Sequence, residues 1–176
     1  ISNNNITASE SDVSYKTGIS SNYENSESHI FNNYVNSGNT GDHRNNTFGI
    51  ICYNCVIENN TVITRADYDD DVTAIGIAAD RSDVINNDIT VSRNSNIDYE
   101  GPGYGIRSWS SLEDNSLIEG NIIRASNGTY GIGSSNSLIV NNIILPEAGW
   151  NHHHYAMELG DNVEVRNNTC TSMQST

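Results

Sequence analysis

The stretch Ile57-Glu58-Asn59-Asn60-Thr61-Val62 decides the fold, because its pattern, apolar-x-Asn-Asn-x-apolar, recurs along the whole chain with little variation. The second Asn is present in every copy, and its successive spacings are 29, 27, 27, 34, 21 and 26 residues. A repeat of this length indicates a solenoid, in which each unit buries its apolar side chains against its neighbours. The seven second-position asparagines are Asn4, Asn33, Asn60, Asn87, Asn121, Asn142 and Asn168.

A second motif alternates with the first and shares its period. It is a Gly-Ile pair, usually preceded by an aromatic or β-branched residue, as in Tyr104-Gly105-Ile106. Two interleaved motifs with one period indicate a regular coil. The pairs begin at Gly18, Gly49, Gly76, Gly105 and Gly131, and a degenerate copy is Ala156-Met157.

The period and the local pattern together predict a parallel β-helix. Helical repeats would need amphipathic stretches of ten or more residues, and the chain has none. Short apolar-x-apolar strands broken by Asn, Gly and Ser are instead typical of a coil with three strands per turn. We therefore predict an all-β chain, a right-handed single-stranded parallel β-helix of about six to seven coils, with residues 1–176 forming a single domain.

The recurring second Asn has a structural explanation in such a coil. Asn tolerates the left-handed backbone region, so it suits a tight bend between two strands. Coils stack about 4.8 Å apart, which lets equivalent Asn side chains hydrogen-bond to one another and to neighbouring backbone. We expect the seven residues to form an Asn ladder along one edge of the solenoid.

These motifs resemble those of the pectate-lyase-like superfamily of right-handed β-helices, and the resemblance covers essentially the whole chain. It implies a pectin-lyase fold, in which the Gly-Ile strand leads through a first turn to the strand that ends at the Asn turn. A third strand and a variable third turn follow. The superfamily contains lyases, hydrolases, epimerases, phage tailspikes and adhesins, so the resemblance is informative about fold and not about function.

Composition narrows the classes of partner. The chain has 8 Lys and Arg against 22 Asp and Glu, a formal net charge of -14. Because a surface this acidic repels phosphate backbones and anionic membranes, we expect no nucleic-acid binding. The chain has no run of about 18 apolar residues, and we expect no membrane insertion. High Asn and Ser with few Lys favours an extracellular or cell-surface location.

The three cysteines are too few for a disulfide-stapled scaffold. Cys52-Tyr53-Asn54-Cys55 has the spacing of a redox motif or of half a zinc site, but there is no second pair to complete the latter. Because Cys52 falls on the inward side of a strand, we predict that it is buried and reduced.

The resemblance places polysaccharide chemistry on the outer face of the Gly-Ile strand. If the isoleucines point inward, the outward positions before the Gly are Lys16, Thr47, Ala74, Gly103, Thr129 and His154; those after it include Ser20, Ile51, Ala78, Arg107, Gly133 and Glu158.

The candidate catalytic residues on this face are Arg107, Asp80, Glu158 and His154. The signatures of polygalacturonase-like hydrolases, Asn-Thr-Asp, Asp-Asp, His-Gly and Arg-Ile-Lys, do not occur in order. The alternative is that these residues are ordinary surface charges. The chain is therefore not assigned as an enzyme, and we lean toward a non-catalytic role.

Two third turns carry candidates for ligand binding. Asp69, Asp70 and Asp71 lie in one turn, and Asp98 and Glu100 lie in the next, about one coil away. Calcium takes six to eight oxygen ligands from flexible loops, so this cluster is a candidate calcium site; the alternative is a solvated acidic loop. The candidate carbohydrate-contacting residues are Trp109, Trp150 and Tyr155.

The chain begins within a repeat and ends shortly after one. A β-helix must protect its end coils from edge pairing, so we expect either a piece of a longer chain or a head-to-tail homo-oligomer that could extend into a filament. The leading hypothesis is a secreted or surface-exposed module with a structural, adhesive or polysaccharide-contacting role. The alternative is a polysaccharide lyase, glycoside hydrolase or epimerase.

Overall fold

The computed structural model describes residues 1–8, 15–21, 27–39, 46–66, 73–93, 103–109, 115–126, 129–146 and 156–171. Their strands form three parallel sheets that wind around one axis, so the chain is an all-β parallel solenoid. Each coil contributes one strand to each sheet in the order sheet 1, sheet 2, sheet 3. Within the described ranges, no element is a helix with the length and apolarity needed to cross a membrane.

Sheet 1 contains the Gly-Ile strands, and sheet 2 contains the strands that lead to the Asn motif. Sheet 1 is formed by β2 (Tyr15–Ser21), β5 (Asn46–Tyr53), β8 (Ala74–Asp80), β11 (Gly103–Trp109), β14 (Thr129–Ser135) and β17 (Met157–Leu159). Sheet 2 is formed by β3 (Ser28–Phe31), β6 (Cys55–Glu58), β9 (Asp83–Ile85), β12 (Ser116–Glu119), β15 (Ser137–Val140) and β18 (Val163–Arg166).

Sheet 3 follows the Asn motif and completes each coil. It is formed by β1 (Asn5–Ala8), β4 (Tyr34–Asn39), β7 (Thr61–Ala66), β10 (Asp88–Arg93), β13 (Ile122–Ala125), β16 (Ile143–Pro146) and β19 (Thr169–Cys170). Four coils, β5–β7, β8–β10, β11–β13 and β14–β16, have neighbours on both sides in all three sheets. The prediction of six to seven coils is therefore too high for the fully stacked solenoid, which has about four turns, because the outer strands pair on one side only.

The interior contains three stacks of large aliphatic side chains, one from each sheet. In sheet 1 the isoleucines of the Gly-Ile pairs stack in register from coil to coil. Because each residue rests on its equivalent, the side chains of each stack shield one another from solvent. The buried stacks comprise Ile19, Ile50, Ile77, Ile106 and Ile132 from sheet 1, Ile30, Ile57, Val84, Ile118 and Ile139 from sheet 2, and Val35, Val62, Ile89, Ile123 and Ile144 from sheet 3.

The Asn ladder is confirmed between sheets 2 and 3. Each ladder Asn donates its Nδ2 to Oδ1 of the next at 2.9–3.1 Å. The same Oδ1 accepts the backbone N–H of the preceding ladder Asn at 2.8–3.1 Å. The ladder therefore satisfies backbone donors that turn into the interior at this corner.

The left-handed bend belongs to a different residue from the one we predicted. The first Asn of the motif has positive φ, for example 54° at Asn32 and Asn59, whereas the second forms the ladder. In the fifth copy the first position is Gly120, with φ of 66°. The pair therefore divides two tasks: one residue turns the chain and the other satisfies its hydrogen bonds.

Cys52 is buried as predicted, but the prediction that it is reduced is wrong. Cys52 and Cys55 form a disulfide across the corner between β5 and β6, with their Cα atoms 6.1 Å apart. Asn54, with φ of 56°, turns the chain between them. This turn directs both side chains toward the interior, where each is 3% exposed.

Candidate functional site

The outer face of sheet 1 is organised by a feature of the Gly-Ile pair: both of its residues face the interior. A Cβ on Gly49 would lie 2.3 Å from Cγ1 of Val62, a core residue of sheet 3. The next residue, Ile50, is itself fully buried in the core. Only glycine fits the first position, because the sheet 3 side chain already occupies the space of its Cβ.

Two consecutive inward residues shift the inward–outward alternation of the strand. The predicted outward positions before the Gly are therefore wrong, and those after the pair are right. The residues after the pair, including Arg107 and Glu158, do face outward. The positions two residues before the Gly are buried, and the residues immediately before it face outward instead. The buried residues are Lys16, Thr47, Ala74, Gly103 and Thr129; His154, predicted with them, lies outside the described residues.

The outward residues before the Gly form an apolar row on the exterior of sheet 1, which we call the aromatic row: Thr17, Phe48, Ile75, Tyr104 and Tyr130. Ile75 is fully buried and Tyr104 is 6% exposed, yet neither belongs to the core inside the solenoid. The aromatic row is therefore a second apolar layer outside the coil.

Tyr104 is the centre of this face. Its ring stacks on Tyr130, with centroids 5.2 Å apart and planes inclined by 18°. Its hydroxyl donates a 2.6 Å hydrogen bond to Oε2 of Glu158, two coils away. Burial of the phenol, and next its hydrogen bond to Glu158, raise the pKa of Tyr104 above its usual range, since both favour the neutral form.

A glycine makes that hydrogen bond sterically feasible. Gly133 lies in the strand between Tyr104 and Glu158, and its register partners are Arg107 on one side and Glu158 on the other. A Cβ at Gly133 would lie 2.4 Å from Cε1 of Tyr104. The Tyr104 ring therefore lies across the backbone of Gly133 and fills the space that a side chain at this position would occupy.

Arg107 is exposed, and two aromatic rings flank its guanidinium. Its Cζ lies 5.8 Å from the ring centroid of Tyr104 and 5.8 Å from that of Trp109, within the range of cation–π attraction. Among the described residues, neither Asp80 nor Glu158 lies within ion-pairing distance of it. The guanidinium thus contacts both rings while Arg107 as a whole stays exposed.

Trp109 ends β11 and is 37% exposed. Its backbone N–H donates to Oδ1 of Asp80 at 3.0 Å, so the Asp80 carboxylate satisfies a strand-end donor on the next coil. Trp109 thus offers an aromatic surface to solvent, whereas Asp80 has a structural partner.

The structure brings together four of the predicted site residues, Arg107, Asp80, Glu158 and Trp109, on the outer face of sheet 1. The others lie outside the described residues: His154 of the catalytic set, Trp150 and Tyr155 of the carbohydrate set, and Asp69, Asp70, Asp71, Asp98 and Glu100 of the calcium set. Within the described ranges, no group of three or more His, Cys, Asp or Glu residues could hold a metal ion.

Sequence reasoning missed Tyr104 and Tyr130 as members of this face. Their signal was visible, since an aromatic residue precedes several of the Gly-Ile pairs. Strict two-residue alternation assigned those positions to the inside, because a strand pattern alone does not reveal that Gly and Ile both point inward.

The outer face of sheet 1 presents aromatic and charged groups side by side. It combines stacked aromatic rings, an exposed tryptophan and an oriented cation, and both carboxylates already accept hydrogen bonds from the protein. Aromatic surfaces with a few placed polar groups are typical of ligand sites. Comparison of the chain with protein-family models, curated proteins and solved structures finds no match.

Proposed function

We propose that this chain is a secreted or surface-exposed β-solenoid module that contacts polysaccharide through the outer face of sheet 1, without catalysis. The observation that carries the proposal is the group formed by Tyr104, Trp109 and Arg107, in which an exposed cation lies within cation–π distance of two aromatic rings. Tyr and Trp offer a flat apolar surface with a polar edge, which suits a sugar ring with its C–H face and hydroxyl rim.

The extracellular location is part of the same proposal. Disulfides persist in oxidising compartments and are rare in the cytosol, so the Cys52–Cys55 bond supports a secreted or surface location. We further propose a right-handed coil of the pectate-lyase-like superfamily. The support is the strong preference of parallel β-crossovers for that hand, together with the combined Gly-Ile and Asn-ladder motifs.

A binding experiment tests the proposed recognition surface. Affinity electrophoresis of the chain through gels containing neutral or uronate polysaccharides should reveal retardation by at least one of them. Trp109→Ala should weaken that binding about tenfold, equivalent to about 1.4 kcal/mol, through loss of the exposed ring. The matched control is Tyr34→Ala, because Tyr34 is 39% exposed on sheet 3, another side of the solenoid.

Retardation that Trp109→Ala leaves unchanged would place any binding elsewhere. Equal loss in Trp109→Ala and Tyr34→Ala would indicate a general effect of surface aromatics and would contradict a site on sheet 1.

The second candidate function is a polysaccharide lyase, hydrolase or epimerase that uses the same face. The observation in its favour is that Arg107 and Glu158 are the register partners of Gly133 on either side, so a sugar resting on the Tyr104 ring that covers Gly133 would have both side chains nearby. General acid–base catalysis requires groups within about 3 Å of the proton that moves. Assays on uronate-containing polysaccharides with calcium, at neutral to alkaline pH, test this alternative: release of unsaturated or reducing ends that Arg107→Ala abolishes would overturn the non-catalytic proposal.

Head-to-tail association stays a prediction. Light scattering at several concentrations tests it, since stacking copies would increase in mass with concentration, whereas a constant monomer mass would contradict it.

A further inference from the structure

The corner between sheets 1 and 2 contains a second ladder, made of small side chains that face the interior in pairs. In one coil Ser134 and Ser137 approach with their Oγ atoms 2.7 Å apart. In the preceding coil Ser108 and Ser116 hydrogen-bond across the same corner at 3.1 Å. At the other end of the solenoid Ser21 and Ser28 do so at 2.9 Å.

Cys52 and Cys55 occupy this same pair of positions. Cys52 is in register with Ser21 and Cys55 with Ser28. Toward the next coil, Cys52 is in register with Ala79, and the backbone N–H of Cys55 donates to Oγ of Ser82 at 3.0 Å. The disulfide therefore replaces, in one coil, the hydroxyl–hydroxyl bridge that serine pairs make in others.

The backbone of this corner is also repeated. Cys52-Tyr53-Asn54-Cys55 and Ser134-Ser135-Asn136-Ser137 share their spacing and a left-handed Asn at the third position, with φ of 56° and 49°. A corner with equal spacing and equal backbone turn presents its flanking inward side chains to each other at similar separation.

We propose that the Cys52–Cys55 bond is a redox-controlled staple of the solenoid, shielded from solution thiols as long as the coils are stacked. Each sulfur belongs to a residue that is 3% exposed, and the residues next to this corner in the adjacent coils all have small side chains: Ser21, Ser28, Ala79 and Ser82. A catalytic dithiol needs an accessible thiolate, which this corner does not provide. The staple adds stability only to a chain that folds, or has folded, where an oxidant is present.

The chemistry of closing the staple requires a small-molecule disulfide such as oxidised glutathione. One cysteine thiolate attacks a glutathione sulfur and releases one glutathione thiolate, leaving a mixed disulfide. The second cysteine, after losing its proton to solvent, displaces the remaining glutathione. The protein pair loses two electrons, which the glutathione disulfide gains, so one disulfide is exchanged for another.

Alkylation under reducing conditions tests the shielding. Cys170 is exposed and free, and it serves as an internal control. In the folded chain treated with dithiothreitol and an alkylating reagent, mass spectrometry should find Cys170 modified while Cys52 and Cys55 react about a hundredfold more slowly, since reaction requires local opening. In urea all three should react. Reaction of Cys52 and Cys55 in the folded chain as fast as in urea would overturn the proposal.

A double serine variant tests the equivalence with the serine pairs. Cys52→Ser with Cys55→Ser should fold and should match the reduced wild type in urea, with a folding equilibrium constant about twentyfold below that of the oxidised chain. Equal stability of the serine variant and the oxidised chain would contradict a staple.

A cysteine pair at the equivalent corner keeps the proposal falsifiable even if the serine variant fails to fold. Ser134→Cys with Ser137→Cys, in a Cys170→Ser background, should form a disulfide in oxidised glutathione, seen as the loss of two further hydrogens. Ser135→Cys with Leu138→Cys is the control, because these side chains have the same sequence separation but face outward around the bend. Failure of the inward pair to close, or equal closure of the outward pair, would refute the shared geometry.

Discussion

Replacement of one ladder asparagine in the middle of the solenoid provides a quantitative test of what holds the coils together. Asn87 is 1% exposed. Its Nδ2 donates to the carbonyl oxygens of Ile57 and Ile85 and to Oδ1 of Asn121, at 2.9–3.0 Å. Its Oδ1 accepts from both the backbone N–H and the Nδ2 of Asn60, at 2.9 and 3.0 Å. Asn87→Ala removes all five hydrogen bonds at once.

The expected loss of stability depends on which groups keep another hydrogen-bond partner when Asn87 is replaced. The Nδ2 of Asn60 still donates to Ile30 and Glu58, but the backbone N–H of Asn60 has no second acceptor in the ladder. One orphaned buried donor costs about 1–3 kcal/mol, and each exchanged hydrogen bond about 0.5–1.5 kcal/mol. We expect Asn87→Ala to lower the free energy of unfolding by about 4 kcal/mol.

Equilibrium unfolding in urea, followed by circular dichroism, measures this loss. With an m-value of about 2–3 kcal/mol/M, the midpoint should fall by roughly 1.5–2 M. Asn4→Ala is the matched control, because Asn4 is in the same ladder but exposed, and water can replace its contacts; its loss should stay below about 1 kcal/mol. Asn87→Asp has almost the same shape but turns an oxygen toward three acceptors, so it should also be strongly destabilising. Equal midpoints for Asn87→Ala and Asn4→Ala would refute the view that the buried ladder stabilises the coil.

Three further predictions concern single positions. Gly133→Ala should lower the free energy of unfolding by about 1–3 kcal/mol through overpacking, since its Cβ would lie 2.4 Å from the Tyr104 ring. Gly38→Ala, whose nearest contact is 4.0 Å away, should be nearly neutral, and equal effects would contradict a role for the close approach of Tyr104 to Gly133. Gly120→Ala should lower the free energy of unfolding by about 1–2 kcal/mol, because the φ of Gly120 is 66°. Gly120→Asn should lower it less, since Asn tolerates this backbone region. A thermal melt in which the Asn variant is the less stable of the two would be inconsistent with a conformational cause. The raised pKa of Tyr104 means that the folded chain keeps this phenol protonated while the unfolded chain ionises it above about pH 10. The stabilising contribution of Tyr104 is therefore present below about pH 10 and is lost as the pH rises further. In urea titrations at increasing pH, Tyr104→Phe should make the free energy of unfolding fall less steeply above about pH 10. An unchanged slope would disprove the assignment of this fall to Tyr104.

Much of the fold was predictable because one physical requirement repeats in every coil. Each strand places a large aliphatic residue at the same interior position, and the Asn corner needs one amide per coil, so Ile57, Asn60 and Val62 have equivalents at a regular spacing. The division of roles between Asn59 and Asn60 was not predictable in the same way. Both are asparagines in nearly every copy, and only the substitution by Gly120 identifies which position bends.

The candidate site was predictable only in part, because its geometry depends on a local break in strand alternation. Arg107 and Glu158 follow the Gly-Ile pair and were correctly predicted to face outward. Tyr104 precedes the pair, and its direction depends on whether the glycine counts as an inward residue. That choice is made by the Ile123 side chain of sheet 3, whose Cγ2 would lie 2.3 Å from a Cβ at Gly105, a contact between residues far apart in sequence.

The same break links the fold to the recognition surface that we propose. Were the strand to alternate strictly, Tyr104 and Tyr130 would compete with Ile106 and Ile132 for the interior, where neither a phenol hydroxyl nor a second layer of side chains has room. Placing Gly and Ile inward together moves the aromatic residue outside, where it stacks along the coil and reaches Glu158 across Gly133. A residue that is required for packing inside thus determines which side chains are available outside, and a solenoid built from such pairs can change its outer row without altering its core.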